Sequence, residues 1–145
     1  MTHRTIRMII EDQVPVTASA GITVSEAARL MKQSQVGAVM VVDGGGSLVG
    51  VFTERDALFR VLAAGRDGAT TLISDVMTAR PLTIAPDKHF AHALYMMHEG
   101  GFRHVPVVEG GKPVGMVSAR DALGPELEAF VYELLRQEQV SQILA

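Results

Sequence analysis

Apolar positions along the chain follow two periods in a fixed order, and the order occurs twice. Val24, Ala27, Ala28 and Met31 fall at i, i+3, i+4 and i+7, which is one stripe of a helix. Thr23 followed by Glu26 forms the capping box that starts it. Two short apolar runs come next, 39–42 and 48–52, joined by Asp43-Gly44-Gly45-Gly46-Ser47, and they predict a β-hairpin. A second helix is expected over 54–64, with Gly65 as its stop. Further on, Phe90, Ala93, Leu94 and Met97 repeat the helical stripe. The runs 105–108 and 113–117 flank Glu109-Gly110-Gly111-Lys112 as a second hairpin, and a helix is expected from about Ala119. Residues 66–71 read as the linker. Leu127, Phe130, Val131 and Leu134 predict an amphipathic helix in the tail.

The two halves overlay residue by residue. A shift of 66 places Pro15 on Pro81, Thr17 on Thr83, Ala27 on Ala93, Met31 on Met97, and Val39, Val41 and Val42 on Val105, Val107 and Val108. One residue is lost in the second hairpin turn. The shift is then 65, and Val49-Gly50 falls on Val114-Gly115 and Arg55-Asp56-Ala57-Leu58 on Arg120-Asp121-Ala122-Leu123. The chain is therefore expected to carry two copies of one β-α-β-β-α unit, in residues 1–68 and 69–124, with the tail helix in 125–145.

Candidate chemistry concentrates where each hairpin runs into a helix. Gly50-Val51-Phe52-Thr53-Glu54-Arg55-Asp56 is matched by Gly115-Met116-Val117-Ser118-Ala119-Arg120-Asp121. A helix start presents free N–H groups and the positive end of the helix dipole, which suit an anion. The hydroxyl of Thr53 or Ser118 adds a donor. The carboxylate of Asp56 or Asp121, three residues on, can accept from both hydroxyls of a ribose. The same Ser/Thr-x-x-Asp spacing also makes a capping box in which the acid only satisfies backbone donors.

Composition narrows the classes of function. The 145 residues are 48% apolar and 20% charged, with 13 Lys/Arg against 16 Asp/Glu and a net charge of −3. That balance is globular and does not favour nucleic acid or an anionic membrane. The absence of cysteine excludes disulfides, thiolate catalysis and cysteine metal sites. The longest apolar run, 36–42, is far short of the ~20 residues a membrane span needs. The start of the chain has no signal-peptide pattern, and a cytoplasmic protein is expected. His89, His92 and His98 gather on one predicted helix. With Phe90 and Met97 on its buried stripe, they read as surface histidines rather than a metal site. No Ser-His-Asp set, phosphate-binding Gly-x-x-x-x-Gly-Lys-Ser/Thr loop or dinucleotide Gly-x-Gly-x-x-Gly turn is readable.

The repeat, the paired Gly-led segments and Phe102-Arg103-His104-Val105-Pro106-Val107-Val108 resemble a tandem pair of cystathionine-β-synthase (CBS) domains, the arrangement called a Bateman module. The resemblance spans about residues 6–123. It implies a mixed α/β (α+β) fold of two CBS units about a pseudo-twofold axis, with a ligand cleft on each side. It also implies a non-catalytic regulator that binds an adenine nucleotide (AMP, ADP or ATP) and signals to a partner protein, as a homodimer. Carried onto this sequence, the first cleft would use Val51, Phe52, Thr53, Asp56, Thr83, Arg103, His104 and Arg120. The second would use Thr17, Gly37, Ala38, Arg55, Met116, Ser118 and Asp121. Gly37 and Ala38 stand where the first cleft has Arg103 and His104, so the second is not expected to hold a polyphosphate tightly. The alternatives are an interaction protein with degenerate clefts, a sensor of S-adenosylmethionine or another adenosine compound, and a nucleotide-directed enzyme. The enzyme would need an acid–base pair or a metal that the sequence does not supply.

Overall fold

The computed structural model describes residues 4–122 and 124–144. The chain begins with α1 (Ile6–Ile10), then β1 (Thr17–Ser19), α2 (Val24–Ser34) and the hairpin β2 (Ala38–Val42) and β3 (Leu48–Thr53). One α-turn, α3 (Glu54–Asp56), continues as a π-helix over Ala57–Leu62. After the 3-10 turn Ile73–Asp75 come β4 (Thr78–Ala79), α4 (Phe90–Gly100), β5 (His104–Glu109), β6 (Lys112–Ser118) and α5 (Gly124–Leu144). The class is mixed α+β, as the repeat predicts.

The two halves use the same pairing scheme. In the first, β1 lies parallel to β2, β2 antiparallel to β3, and β3 antiparallel to β4. In the second, β5 and β6 form the antiparallel hairpin, and the first strand is reduced to one parallel bridge from Ile84 to Val107. Two prolines explain the reduction: Pro106 stands where Met40 donates its amide to the Val16 carbonyl, Pro86 stands where the first half has Ala20, and neither has an N–H to extend the ladder.

Local chemistry carried by the sequence sets where α2 begins and where two expected helices depart from α geometry. Thr23 and Glu26 close the capping box on α2, and the Thr71 and Gly68 carbonyls accept from the Val24 and Ser25 amides. The linker thus satisfies donors that a helix start would otherwise leave open. The helix expected over 54–64 departs from α geometry and widens to the π-helix Ala57–Leu62, after which Gly65 turns the chain with a φ of 72°. The helix expected from Ala119 is a single 3-10 turn, Ala119–Asp121, after which Ala122 is extended. Pro125 has no N–H to give the Asp121 carbonyl, so a helix running on from Ala119 would lose that bond.

The two hydrophobic cores exchange their entry segments. One core gathers Ala18, Val24, Ala27, Met31, Val39, Val41, Phe52 and Val61, and is closed by Ile73 and Val76. The other gathers Ile84, Phe90, Ala93, Leu94, Met97, Val105, Val107 and Val117, and is closed by Ile6 and Ile10 of α1. Packing therefore crosses the boundary drawn at 68/69 in both directions. The segment preceding each unit's first strand is buried in the other unit. Fully burying an isoleucine stabilises by about 1.5–3 kcal/mol, so Ile6 and Ile73, both completely buried, bind the halves together. On α5, Phe130 meets Tyr95 of α4 edge-on at 5.2 Å, while Leu127 and Val131 remain 48% and 45% exposed.

Candidate functional site

Gly50 within β3 and Gly115 within β6 let the exchanged segments approach. A Cβ on Gly50 would fall on the Met77 sulfur and lie 3.0 Å from the Thr78 carbonyl oxygen. A Cβ on Gly115 would lie 2.7 Å from Ile10 Cγ2. The approach fixes the outer edge of each strand. Beside β3, Thr78 of β4 pairs with Val51. Beside β6, the side chain of Gln13 takes the same place: its amide nitrogen donates to the Met116 carbonyl at 2.9 Å, and its oxygen accepts from the Met116 amide at 3.0 Å.

At the far end of β3 lies a cleft of about 880 Å³, lined by Val51, Thr53, Glu54, Arg55, Asp56, Leu58, Phe59, Thr78, Arg80, Pro81, Leu82, Gly100, Gly101, Phe102, Arg103 and His104. Its size lies within the range of small-molecule sites, about 300–1,000 Å³. The wall is mixed. Val51, Leu58, Phe59, Pro81 and Leu82 give apolar surface, and Arg55, Arg80, Arg103 and His104 gather cationic or titratable groups. Of the residues assigned to the first cleft, Val51, Thr53, Asp56, Arg103 and His104 line it together. Phe52 does not, because strand alternation turns it into the first core, where it is fully buried. Thr83 is exposed and outside the lining, whose place is taken by Thr78, Arg80, Pro81 and Leu82. Arg120 is exposed on the turn after β6 and acts on His104 through its charge.

Thr53 and Asp56 form the reciprocal cap. The Asp56 carboxylate accepts from the Thr53 amide at 2.9 Å, and the Thr53 hydroxyl accepts from the Asp56 amide at 3.1 Å. The other carboxylate oxygen of this buried acid lies 3.5 Å from Arg60 Nε. Arg60 also donates to the carbonyls of Val76 and Met77. It thus ties Asp56 to the segment leading into β4. In the second half, Ser118 and Asp121 repeat the contact, with the Ser118 amide 2.7 Å from the Asp121 carboxylate.

The remaining second-cleft residues are dispersed differently from the expectation. Thr17 is exposed on β1 opposite Met40, and Ala38 is buried opposite Thr53. Gly37 sits against the first cleft: a Cβ there would be 3.0 Å from Glu54 Oε1 and 3.3 Å from His104 Nε2. Arg55 also belongs to the first cleft, where its guanidinium lies 5.5 Å from the Phe59 ring centre. His104 is held below its ordinary pKa chiefly by burial, with Glu54 opposing and Arg103 adding to the effect. His89, His92 and His98 are all exposed. Among the described residues, no group of three or more His, Asp or Glu is placed to hold a metal.

The family model for the CBS domain matches residues 9–63 and again 73–125. The chain belongs to the CBS domain family. It is a tandem CBS pair, and its sequence relatives and structural neighbours fit that description. It is 39% identical over 105 residues to the CBS domain-containing protein YhcV of Bacillus subtilis, covering 72% of this chain and 74% of that one. Against CBSCBSPB2 of Arabidopsis thaliana it is 37% identical over 108 residues, 74% of this chain but 20% of that protein. The chain thus spans about a fifth of that longer relative. A CBS-domain containing protein from Agrobacterium tumefaciens superposes with a TM-score of 0.74 at 29% identity, over 81% of this chain and 89% of that one. The CBS domain pair of protein MJ0100, solved in complex with 5′-methylthioadenosine and S-adenosyl-L-methionine, superposes with a TM-score of 0.75 at 27% identity, over 83% and 93%.

Several residues of this CBS pair's cleft carry no signal that sequence reasoning used. Arg80 enters only through the register of the two-residue strand β4, which is too short to show periodicity. Phe59 follows Asp56 at i+3, and a helical projection from Asp56 would have found it, as it would Arg60 at i+4, which stands outside the lining and pairs with Asp56. No helix among the described residues is long and apolar enough to cross a membrane.

Proposed function

We propose that this CBS pair is a non-catalytic sensor that binds an adenine nucleotide in the cleft around Thr53 and Asp56 and passes the change to a partner protein. The observation that carries the reading is the meeting, around one cleft, of a helix-start hydroxyl and carboxylate with Arg103 and His104 from the other half. Thr53 and Asp56 suit a ribose and the first phosphate. Arg103, His104 and Arg55 suit further phosphate oxygens, since guanidinium–phosphate pairs are charge-assisted. Ligand held across both halves would couple to the exchanged segments through Arg60 and the 76–77 carbonyls. The MJ0100 neighbour's adenosine-based ligands support the ligand class. Calorimetric titration with adenosine, AMP, ADP and ATP tests the reading. Saturable binding that strengthens with phosphate number is expected, and no binding of any of the four would overturn it.

A second reading has its own observation. Glu54 and Asp56 place two carboxylates in the same cleft, which suits a cationic tail such as the sulfonium and amine of S-adenosylmethionine. Competition between S-adenosylmethionine and ADP on one sample decides between the two.

A further inference from the structure

Arg80 has a φ of 50°, and the other non-glycine residue with positive φ among those described is Gln35. Gln35 has a structural reason, since it closes α2 with its amide turned back to the Lys32 and Met31 carbonyls. Arg80 closes no helix. It also precedes Pro81, which restricts its backbone further. Glycine would take this conformation without strain. The Arg80 amide donates to the Val49 carbonyl at 3.2 Å, so the main chain is fixed. Its guanidinium enters no hydrogen bond or ion pair among the described residues, yet the residue lines the cleft. Strain retained by a side chain that holds nothing in the protein points to a ligand.

The sheet register says which part of the ligand. β4 runs antiparallel to β3 with Thr78 opposite Val51 and Ala79 opposite Gly50, which brings Arg80 level with Val49. Thr53 lies four residues further along β3, about 13 Å away at strand spacing. Arg80 and the Thr53–Asp56 cap therefore flank opposite ends of one cleft, with Val51 and Thr78 between them. A ribose on Asp56 with its phosphates toward Arg103 leaves the base to extend over Val51. We propose that Arg80 is a specificity-determining residue at the base end of the cleft, its guanidinium lying against the purine. The inference rests on the adenine-nucleotide reading. A guanidinium over an aromatic face is attracted by the ring quadrupole and tolerates any phosphate number.

The test is calorimetric titration of ADP and of adenosine into the wild type, Arg80→Ala, Arg80→Gly and Arg103→Ala. Both Arg80 variants are expected to weaken ADP and adenosine by the same factor, about two- to thirtyfold. Arg103→Ala is expected to weaken ADP alone. Arg80→Gly should also melt at a higher temperature than the wild type, which separates lost binding from lost folding. A loss confined to ADP would place Arg80 on the phosphates and overturn the proposal, as would unchanged affinity for both ligands. A wild type that binds neither ADP nor adenosine would overturn the adenine-nucleotide reading itself, and this inference with it.

Discussion

The Asp56 carboxylate does two things in the protein alone: one oxygen accepts the Thr53 amide at 2.9 Å, and the other faces Arg60 at 3.5 Å. The cap is therefore real, and a ribose would compete with Arg60 rather than with Thr53. Asp56→Ala is expected to cost about 1 kcal/mol of stability through the lost cap. It should also weaken nucleotide binding by roughly 1.5–3 kcal/mol, the worth of hydrogen bonds to a charged group. Arg60→Ala should leave the cap in place and free the carboxylate. Urea melts and titrations on the same samples separate these effects; an Asp56→Ala protein with wild-type affinity would assign Asp56 to capping alone.

The Gly-led strands make a prediction about folding. Gly50→Ala must push against the Thr78 backbone as well as the Met77 side chain. Overpacking of this kind costs about 1–3 kcal/mol. Gly44→Ala, in the first hairpin turn, meets nothing within 4 Å and lacks a positive φ. It is expected to be neutral within about 0.5 kcal/mol. Equal midpoints for the two variants in urea would show that the entry segment of β4 does not press on Gly50.

His104 gives a pH dependence of definite sign. Burial lowers its pKa below the ordinary 6.5, so the unfolded chain takes up this proton more readily than the folded one. The neutral form's contribution to stability is complete above about pH 6.5 and is lost as pH falls through the lowered folded value. His104→Gln should flatten that part of the stability–pH curve. A phosphate placed against the ring would favour the charged form and reverse the shift. Nucleotide affinity is therefore expected to rise between pH 8 and 6, with proton uptake visible as a dependence of binding heat on the buffer's ionisation enthalpy.

What the sequence made legible was whatever repeats or has a period. The stripes of α2 and α4, both hairpins and the paired caps at Thr53–Asp56 and Ser118–Asp121 all followed from residue spacing. Three things did not. The exchange of α1 and the 73–76 segment is a long-range choice between two chemically similar cores, and Ile6 would pack in either by hydrophobicity alone. The outer edge of β6 is satisfied by the side chain of Gln13, a role no spacing announces. Arg55 and Arg120 overlay in the repeat, yet Arg55 turns into the first cleft over Phe59, where the second half has Gly124. Exact repetition would have placed it by symmetry, and the local difference in partner decides otherwise.

Association is expected through apolar surface that the chain leaves open. Leu58 and Leu62 on the π-helix are 51% and 72% exposed, and Leu127, Val131 and Leu135 form an exposed line on α5. A monomer rarely keeps such surface wet. Light scattering should report a homodimer at micromolar concentration. Substituting Leu127 and Val131 together by aspartate should dissociate it if α5 joins the contact. A dimer unaffected by that change would move the interface to the π-helix, and a wild-type monomer would rule out the prediction.

The clefts on the two sides should differ in their taste for phosphate. The cleft around Thr53 and Asp56 has Arg103 and His104 on its wall, with Arg55 turned in beside them and Arg120 acting on His104 from the next turn. The positions matching Arg103 and His104 in the other half are Gly37 and Ala38, neither of which can bind an anion through its side chain. Two arginines and a histidine favour a di- or triphosphate, because each added phosphate oxygen finds a charge-assisted donor. The Ser118–Asp121 side is left to a monophosphate or a neutral adenosine compound. Replacing Arg103 and His104 together by alanine is therefore expected to remove most of the preference for ADP over adenosine while leaving adenosine affinity near the wild type. Each lost charge-assisted bond is worth about 1.5–3 kcal/mol, so the ADP affinity should fall at least tenfold. Retention of the wild-type preference in the double variant would take Arg103 and His104 out of the phosphate site and leave Arg55 as the group to test next.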